Sequence, residues 1–308
     1  MKGATMIVVF GSVNADLFLN VPYLPKRGQT VLCPTYVFRP GGKGANQAVA
    51  AARAGAEVKM IGRVGTDPYA EPVRAALHQA GVDVNLIHHS ETMTGIAAVM
   101  VEEGGENQIV VASGANLQAN AEQIPEALLS RETTLVLQME VSRTETEAAI
   151  WRARQAGCRI ILNLAPVGDI DEAALRACDI LVVNEGEAQG LAGVSDTPEN
   201  HARRFAHYYA LDSIITLGGS GAILATKSTL FRINALDIDP IDTVGAGDAF
   251  VGVLAARLDT GAQVPCALRQ ASVAAGLTCL HEGAQSGLPT MAEINAVIAQ
   301  LDPAKPID

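Results

Sequence analysis

The sequence predicts an α/β protein with a doubly wound, mostly parallel central sheet flanked by helices, together with a small β-sheet lid. The first observation is a strand–helix rhythm in mid-chain, where apolar segments at 135–138, 159–164 and 180–183 alternate with helical ones. Such alternation is typical of a parallel sheet covered by helices on both faces. The second is a series of short segments between 17 and 39, punctuated by Pro and Gly, which favours strands that stand apart from the main sheet.

The lid is predicted from segments that alternate between apolar and polar residues. Residues 96–101 and 108–112 are typical of a hairpin joined by a Glu-Gly-Gly-Glu turn. Earlier lid strands are expected at 17–21, 30–33 and 35–38. We therefore predict a single domain over 1–308, with a lid sheet formed by about 14–40 and 95–113.

The other elements follow from apolar periodicity and from helix-ending residues. A β-branched run at 6–10 predicts a fully buried strand, and an Ala-rich run at 48–54 before Gly55 predicts a helix. Further strands are expected at 58–61, 213–217, 222–225 and 229–233, the last three as a β-meander. Further helices are expected at 69–80, 144–155, 171–177, 250–256, 265–281 and 291–301.

The composition indicates an acidic globular protein. The chain has 308 residues, of which 49% are hydrophobic, and this is enough apolar material for one large core. The formal net charge is −11 and Lys and Arg are not clustered, so we expect no nucleic-acid partner. Small anions remain possible ligands, because helix N-termini bind them without net positive charge.

The cysteines and the apolar runs favour a soluble protein of a reducing compartment. Cys33, Cys158, Cys178, Cys266 and Cys279 are far apart and odd in number, which favours free thiols over disulfides or a zinc site. The N-terminal apolar run is too short for a signal peptide, and no run reaches membrane-spanning length. We expect a cytoplasmic protein that does not contact a membrane.

The stretch at 242–250, Asp-Thr-Val-Gly-Ala-Gly-Asp-Ala-Phe, predicts an anion site. Gly245 and Gly247 permit a tight turn, and the uncharged apolar run at 250–256 predicts a buried helix that starts at this turn. The first N–H groups of a helix have no partner within it, and the helix dipole adds partial positive charge. The turn is therefore suited to hold a phosphate group.

Asp248 lies where the first turn of this helix would hold the phosphate. An Asp at a helix start is often only an N-cap, and that interpretation accounts for the residue locally. The alternative is a general base that takes the proton from an attacking hydroxyl while the N–H groups hold the charge on a transferred phosphoryl group. The residues around Asp248 leave both interpretations open.

A second glycine turn, Pro-Gly-Gly-Lys-Gly-Ala-Asn-Gln at 40–47, also runs into a helix. Lys43 and Asn46 offer the donors and acceptors that a polyol substrate needs, although a solvated loop has a similar composition. The Walker A spacing, Gly-x-x-x-x-Gly-Lys-Ser/Thr, does not occur in this turn. The turn is thus a second candidate binding site, suited to a polyol, and it is not a Walker A phosphate loop.

Polar residues also lie at the carboxyl ends of predicted strands, where open α/β sheets bind their ligands. These residues are Asn14, Asp16, Glu140, Asn163, Asn184 and Glu187. A further strand enters a glycine turn at 216–221. Each pattern alone is also typical of a cap or a plain turn, and their shared position makes them candidates.

Together, the two glycine motifs resemble the paired signatures of the ribokinase (pfkB-type) carbohydrate kinases. The motifs are Gly41-Gly-Lys-Gly-Ala-Asn46-Gln-Ala and Asp242-Thr-x-Gly-Ala-Gly-Asp248-x-Phe250. They occur in the family's order about two hundred residues apart, and the resemblance covers nearly the whole chain. It implies the family's fold, in which a lid closes over a site of phosphoryl transfer.

The resemblance implies a role for each matching residue. Asp248 would activate the primary O5 hydroxyl of a sugar, and the backbone of Gly245, Ala246 and Gly247 would form the anion hole for the γ-phosphate of ATP. The sugar would be held by Asn14, Asp16, Gly42, Lys43, Asn46, Glu140 and Asp242. The nucleotide and its magnesium ion would be held by Asn184, Glu187, Thr216, Gly218, Gly219, Gly221 and Ser272.

The resemblance also implies a monovalent cation, usually potassium, and a homodimer formed through the lid sheet. The cation would be held mainly by backbone carbonyls at Asp242, Val244, Thr278, His281, Gly283 and Gly287. Gly287 departs from the family pattern, because a side-chain oxygen is often supplied at that position. Ser286 is the candidate replacement.

Three functions are compatible with the sequence. The first is an ATP-dependent D-ribose kinase, and the second is a kinase of the same fold for deoxyribose, a ketohexose or a nucleoside. An aromatic content of 4% gives little sign of a stacking platform for a nucleoside base. The third is a sugar- or nucleotide-binding regulator without turnover, which is disfavoured because Asp248 and both glycine motifs occur together.

Overall fold

The chain folds into a large sheet, with helices on both faces, and a separate small sheet. The structure is a computed structural model that describes residues 5–102, 104 and 106–307. Its strands are β1 Met6–Phe10, β2 Asn14–Val21, β3 Tyr36–Gly41, β4 Val58–Val64, β5 Asp83–His89, β6 Gly95–Glu102, β7 Asn107–Ala112, β8 Thr133–Leu137, β9 Arg159–Asn163, β10 Ile180–Asn184, β11 Asp212–Thr216, β12 Ala222–Ala225, β13 Leu230–Ile233 and β14 Lys305–Ile307. Its helices are α1 Lys43–Arg53, α2 Ala70–Gln79, α3 Arg143–Ala156, α4 Glu172–Ala177, α5 Glu185–Ala192, α6 Pro198–Tyr209, α7 Ala246–Asp259, α8 Val264–Thr278 and α9 Met291–Val297.

The large sheet has ten strands in the order β14-β13-β12-β11-β10-β9-β8-β1-β4-β5. The strands from β11 to β5 are parallel, whereas β12, β13 and β14 are antiparallel and lie at one edge. Parallel strands end at the same edge of a sheet, so the polar residues that follow them are brought together there.

Strand β1 shows how one apolar run supplies two cores. Ile7 and Val9 belong to a cluster that includes side chains of α1, α2, α7 and α8, whereas Val8 and Phe10 belong to a cluster with α3, α4 and α6. Successive side chains of a strand point to opposite faces, so a continuous apolar strand fits only a sheet that is covered on both sides.

The small sheet is the lid and has the strand order β3-β2-β6-β7. Strand β2 pairs antiparallel with β3 and parallel with β6, and β7 completes the sheet as an antiparallel edge. Arg39 of β3 forms an ion pair of 3.2 Å with Glu282, which lies in the loop after α8. This ion pair connects the lid to the loop after α8.

Helices α1 and α7 pack closely because Gly252 has no side chain. A β-carbon at Gly252 would lie 2.5 Å from the carbonyl oxygen of Gln47 and 2.5 Å from the β-carbon of Ala50. Any larger residue would push the two helices apart. The contact matters because each helix begins at one of the two glycine motifs.

This architecture confirms the predicted fold class, including the separate lid sheet. The strand predicted at 30–33 is wrong: these residues form no regular element, and Leu32 is 85% exposed. Pro34 follows directly, and proline lacks the N–H group that a strand pairing requires. The Glu-Gly-Gly-Glu turn of the lid hairpin includes Glu103 and Gly105, which lie outside the described residues.

Further differences concern one element boundary and several elements that the sequence did not predict. Helix α1 begins at Lys43 rather than at residue 48, because the turn at Gly42 is itself the helix start. Strands β5 and β14 and helices α5 and α6 had no sequence prediction. Strand β5 pairs with β4 at one edge of the large sheet, and β14 pairs with β13 at the other. Among the described residues, no helix has the length and apolar character that crossing a membrane requires.

Candidate active site

A cavity of about 790 Å³ lies at the carboxyl edge of the large sheet, beside helices α7 and α8. A cavity of this size fits a ligand of the size of a nucleotide. Its lining includes the following predicted residues: Lys43, Asn184, Glu187, Thr216, Gly218, Gly219, Gly221, Gly245, Ala246, Gly247, Asp248 and Ser272. The residues predicted for the nucleotide and for the anion hole therefore face one common space.

Asp248 lies in the first turn of α7 and is only 7% exposed. Its Oδ2 accepts a hydrogen bond of 2.9 Å from Nδ2 of Asn46, and its Oδ1 accepts one of 3.0 Å from Nε2 of Gln47. The N-cap of α7 is Gly245, and the Asp248 side chain does not cap the helix. The carboxylate instead joins α7 to α1, so the cap interpretation does not hold.

The electrostatic surroundings of Asp248 act in opposite directions. Burial raises the pKa of this carboxyl, whereas the charge of Lys43 and the two amide donors lower it. In return, the charge of Asp248 raises the pKa of the Lys43 ammonium group, against the effect of its desolvation. Burial is the largest of these effects, so the pKa of Asp248 lies above its ordinary value, and the charge of Lys43 opposes that rise.

Both glycine turns begin their helices in the left-handed region of backbone space. Gly42, the N-cap of α1, has a φ of 90°, and Gly245 has a φ of 82°. Residues with a β-carbon rarely adopt this conformation, and a β-carbon at Gly245 would also lie 2.7 Å from the α-carbon of Ala284. Gly245 and the first residues of α7 line the cavity. The N–H of Ala246 donates to the carbonyl of Thr243 at 3.3 Å, whereas the N–H groups of Gly245 and Gly247 have no backbone partner among the described residues and are available to an anion.

A cluster of acidic side chains lies close to Lys43 and Asp248. Oε2 of Glu140 accepts hydrogen bonds from Oγ of Ser12 at 2.6 Å and from the backbone N–H of Lys43 at 3.0 Å. Oδ1 of Asp16 is buried and has no partner among the described residues. Burial, followed by the charges of Glu140 and Asp248, raises the pKa of Asp16 to about 7. A buried acceptor without a donor is a natural position for a ligand hydroxyl.

Asn14 is held beside this cluster by a residue that the sequence did not indicate. Its Oδ1 accepts a hydrogen bond of 2.7 Å from Nδ2 of Asn116, and Oδ1 of Asn116 accepts the backbone N–H of Val13 at 2.9 Å. Asn116 is 1% exposed and lies in a short 3₁₀ helix at Gly114–Gln118. Nothing in its local sequence distinguishes it from an ordinary turn residue, so only the fold reveals its role.

The residues predicted for the monovalent cation lie on two segments that Asp242 ties together. Its Oδ1 accepts the N–H of Val244 at 2.9 Å, and its Oδ2 accepts the N–H of Gly283 at 2.8 Å. Both carboxylate oxygens are therefore used to join the anion-hole turn to the loop after α8.

Gly287 has a steric reason to depart from the family pattern. A β-carbon there would lie 2.7 Å from the carbonyl oxygen of Thr278 and 3.0 Å from the β-carbon of His281. A serine at position 287 would therefore crowd the carbonyl of Thr278, one of the predicted ligands. The hydroxyl of Ser286 donates to the backbone carbonyls of Glu282 and Gly283 within its own loop.

Among the predicted nucleotide residues, Asn184 and Glu187 also stabilise a helix start, whereas the side chain of Ser272 makes no hydrogen bond among the described residues. Asn184 and Glu187 form a capping box at the start of α5, in which each side chain accepts the backbone N–H of the other at 2.8 Å. Burial raises the pKa of Glu187, although the N–H of Asn184 and the charge of Lys43 act against it. Ser272 has a buried hydroxyl without a partner among the described residues, and it lines the cavity.

The family model of the pfkB carbohydrate kinases matches residues 4–291 of this chain. The chain belongs to this family. It is similar to a ribokinase of Haemophilus influenzae, with 36% identity over 93% of this chain and 96% of the relative. It is also similar to a deoxyribokinase of Salmonella typhi, with 32% identity over 95% of this chain and 98% of the relative. The family predicted from the two glycine motifs is thereby confirmed.

Solved structures of pfkB-type kinases share the fold over nearly the whole chain. A ribokinase of Thermotoga maritima has a TM-score of 0.90 at 30% identity, with coverage of 96% of this chain and 99% of that one. The ribokinase of Arabidopsis thaliana, solved in complex with ribose and ATP, has a TM-score of 0.86 at 28% identity, again covering 96% and 99%. The kinase class predicted from the sequence agrees with these relatives.

Four amide residues of this pfkB-type kinase lie at the site without having been predicted as site residues. They are Gln47, Asn116, Gln138 and Gln285. Gln47 follows the second glycine motif directly and is spaced to share the site-facing side of α1, which is a signal the sequence does contain. Gln285 donates a hydrogen bond of 3.0 Å to Oδ1 of Asn46 across 239 residues of chain, and no local pattern reveals such a pair.

Replacing Asp16 by Asn is expected to reduce the pH dependence of stability. The folded-state pKa of Asp16 lies above its ordinary value of 3.8, so ionisation destabilises the folded chain progressively as the pH rises to about 7. Relative to the wild type, Asp16→Asn should gain on the order of 2 kcal/mol of unfolding free energy between about pH 5 and about pH 8. Urea unfolding of both proteins at these two pH values, without ligands, measures this gain. A difference that does not change with pH would contradict the assignment.

Proposed function

We propose that this kinase transfers the γ-phosphate of ATP to the O5 hydroxyl of D-ribose, giving D-ribose 5-phosphate. The observation that carries the proposal is the position of Asp248, which lies between the helix turn that lines the nucleotide cavity and the acidic cluster around Asp16. The ribokinase of Arabidopsis thaliana binds ribose and ATP together on the same fold. The similarity to the ribokinase of Haemophilus influenzae at 36% identity supports ribose as the acceptor.

In the proposed reaction, Asp248 accepts the proton of the O5 hydroxyl as that oxygen bonds to the γ-phosphorus of ATP. The bond from this phosphorus to the bridging oxygen of the β-phosphate breaks, and ADP leaves with the electron pair. The backbone of Gly245, Ala246 and Gly247, together with the ammonium of Lys43, stabilises the charge on the transferred group. The proton on Asp248 passes to solvent after the product leaves.

The remaining site residues hold and orient the two substrates. We assign the sugar hydroxyls to Asn14, Asp16, Gly42, Lys43, Asn46, Glu140 and Asp242. We assign the nucleotide to Asn184, Glu187, Thr216, Gly218, Gly219, Gly221 and Ser272. Most of the rate enhancement then comes from positioning and from preorganised charge, as in other phosphoryl transfers.

The proposed cations are Mg²⁺ and K⁺. Mg²⁺ would be bound to ATP and to water that Asn184 and Glu187 orient. Mg²⁺ would supply neutralisation of the phosphate charge. K⁺ would be held at the carbonyls of Asp242, Val244, Thr278, His281, Gly283 and Gly287.

The second candidate acceptor is 2-deoxy-D-ribose, because a deoxyribokinase of Salmonella typhi is 32% identical to this chain. We prefer ribose and assign its 2-hydroxyl, which deoxyribose lacks, to the buried Oδ1 of Asp16, which has no partner among the described residues. A regulator without turnover is disfavoured, since a binding protein has no need of the buried carboxylate of Asp248 beside an anion-binding turn.

Replacing Asp248 by Asn is expected to reduce kcat by about 100- to 10,000-fold, because an amide cannot accept the hydroxyl proton. The KM for ribose should change little, since the amide keeps the size of the carboxyl and one acceptor. A steady-state assay of ADP release measures both constants. Asp259→Asn, at the other end of α7, is the matched control and should retain activity. Near-normal turnover of Asp248→Asn would overturn the base assignment.

An acceptor panel decides the substrate and the cations. ADP release is measured with D-ribose, 2-deoxy-D-ribose, D-fructose and adenosine, in K⁺ or Na⁺ and with or without a Mg²⁺ chelator. We expect kcat/KM for ribose to exceed that for deoxyribose by about tenfold or more, because the lost hydroxyl leaves a buried acceptor unpaired. Chelation should abolish turnover, and K⁺ should raise it above the level in Na⁺. An equal or higher value with another acceptor would replace ribose, and equal rates in both salts would exclude K⁺ activation.

We also propose a homodimer formed through the lid sheet. The edge strand β7 is exposed along its whole length, yet its centre is apolar, with Ile109, Val110 and Val111 exposed by 51%, 62% and 47%. An exposed apolar edge strand is normally covered. Val111 pairs with Ala97, which in turn pairs with Asp16, so a second copy on this face would also enclose the sugar side of the site.

The double variant Ile109→Lys, Val111→Lys is expected to be monomeric, because two buried charges would oppose the interface. Sedimentation equilibrium should give twice the mass of the 32.1 kDa chain for the wild type and the single mass for the variant. Trp151→Lys, at an exposed position of α3, is the control and should remain dimeric. A monomeric wild type would refute the dimer.

The five free cysteines support a reducing compartment, and we place the enzyme in the cytoplasm, which cell fractionation tests.

A further inference from the structure

A chain of buried amides leads from the main sheet to the carboxylate of Asp248. Nε2 of Gln138 donates a hydrogen bond of 2.7 Å to Oε1 of Gln47. Nε2 of Gln47 donates to Oδ1 of Asn163 and to Oδ1 of Asp248, both at 3.0 Å. Gln47 and Gln138 are fully buried, and Asn163 is 7% exposed. Four side chains from four separate segments therefore form one connected network.

The direction of this chain is fixed by a backbone group. Nδ2 of Asn163 donates a hydrogen bond of 3.0 Å to the carbonyl oxygen of Val182, which can only accept. The side-chain oxygen of Asn163 must therefore face Gln47, and the N–H₂ group of Gln47 must donate to it. That same N–H₂ group donates to Asp248, while the oxygen of Gln47 is left to accept from Gln138. If Gln47 were flipped, its oxygen would face two other acceptors.

The other carboxylate oxygen of Asp248, Oδ2, is hydrogen-bonded to Asn46 and not to the chain of buried amides. Oδ2 accepts from Nδ2 of Asn46, whose Oδ1 is held by Gln285 from the loop after α8. Asn46 is one of the residues that the proposed function assigns to the sugar, so Oδ2 lies on the sugar side of the carboxylate. Oδ1 lies on the side of the buried amides, away from the sugar residues.

We propose that Gln47, Gln138 and Asn163 are positioning residues that hold Oδ1 of Asp248 with a fixed donor, so that Oδ2, which accepts from Asn46 on the sugar side, is the oxygen that takes the substrate proton. This inference rests on the proposed function, since it assumes that Asp248 is the general base. Gln47 and Gln138 are fully buried and do not line the cavity, whereas Asn163 lines it. The three amides act by orienting the carboxylate and by keeping it ionised until the hydroxyl arrives.

Other charges also face Asp248 and would act on its titration alongside the amides. These are the ammonium of Lys43 and the carboxyl groups of Asp16, Glu140 and Glu187. None of them is changed by a substitution at Gln47 or Gln138. A shift in the pH profile that follows such a substitution therefore reports the loss of the amide donor.

The first test is Gln47→Met, which keeps the length of the side chain and removes the donor. We expect kcat for ribose to fall about 10- to 100-fold with a KM change below about threefold, and the acidic limb of the pH profile to move to higher pH. Gln123→Met is the matched control, because Gln123 is also a buried glutamine and donates to the carbonyl of Gly62, away from the site. It should lose stability without a change in the pH profile.

The second test compares Gln138→Glu with Gln138→Met. If the chain acts through the direction of its hydrogen bonds, the ionised glutamate is worse than methionine at high pH, because it draws the N–H₂ group of Gln47 away from Asp248. Its activity relative to wild type should recover as the pH falls and the new carboxyl gains a proton to donate. If the residue only fills space, the isosteric glutamate is the milder change, and that result would overturn the proposal.

The outcomes separate this inference from the proposed function. An active Asp248→Asn variant refutes the general base and both proposals with it. If Asp248→Asn is inactive but Gln47→Met has a normal kcat and an unshifted pH profile, the general base stands. That result refutes only the positioning role of the buried amides. Gln47→Met introduces no charge, so it decides the question by itself if Gln138→Glu does not fold.

Discussion

The structure of this site depends on the burial of one charge. The carboxylate of Asp248 lies between α1 and α7, and a carboxylate removed from water is stable only where donors and a cation replace its hydration. Helix α1 supplies Asn46, Gln47 and Lys43 from its first turns, and the close approach of the helices at Gly252 keeps these groups within reach. One glycine motif therefore supplies the buried carboxylate, and the other supplies the amide donors and the cation that stabilise it.

This compensation also sets the chemistry that the carboxylate can perform. Burial favours the protonated form of Asp248, which cannot act as a base, whereas full neutralisation by cations would make the carboxylate too weak to accept a proton. Lys43 and the amide donors oppose the effect of burial on its pKa. Lys43 lines the nucleotide cavity as well, so in the proposed reaction one cation would serve both the base and the phosphates.

The sequence revealed the fold class and the principal site residues because both leave local signals. A β-branched run such as 6–10, or a glycine turn before a helix, can be recognised from adjacent residues alone. The early start of α1 at Lys43 was missed because Gly42 and Gly44 lower helix propensity, although the left-handed turn at Gly42 makes them compatible with the helix start. The false strand at 30–33 has alternating residues but no partner strand, and pairing is a property of the fold.

The buried amides could not be predicted for a similar reason. Gln47 and Gln138 are separated by 91 residues, and Asn46 and Gln285 by 239, so only the folded chain brings each pair together. An amide in a sequence carries no mark of whether it will face solvent or a buried carboxylate. Its function is defined by its partners, and those partners are fixed by the packing of α1 and α7 on the sheet.

Two buried oxygens without a partner among the described residues, Oδ1 of Asp16 and Oε1 of Gln138, show how such atoms are to be interpreted. Asp16 is surrounded by other carboxylates, so its unpaired oxygen adds repulsion that a hydroxyl donor would relieve. Gln138 is neutral and fully buried, and its amide already donates to Gln47. Its unpaired oxygen is the cost of directing its N–H₂ group towards Gln47. The first oxygen therefore indicates a ligand site, whereas the second indicates a residue that is kept for orientation.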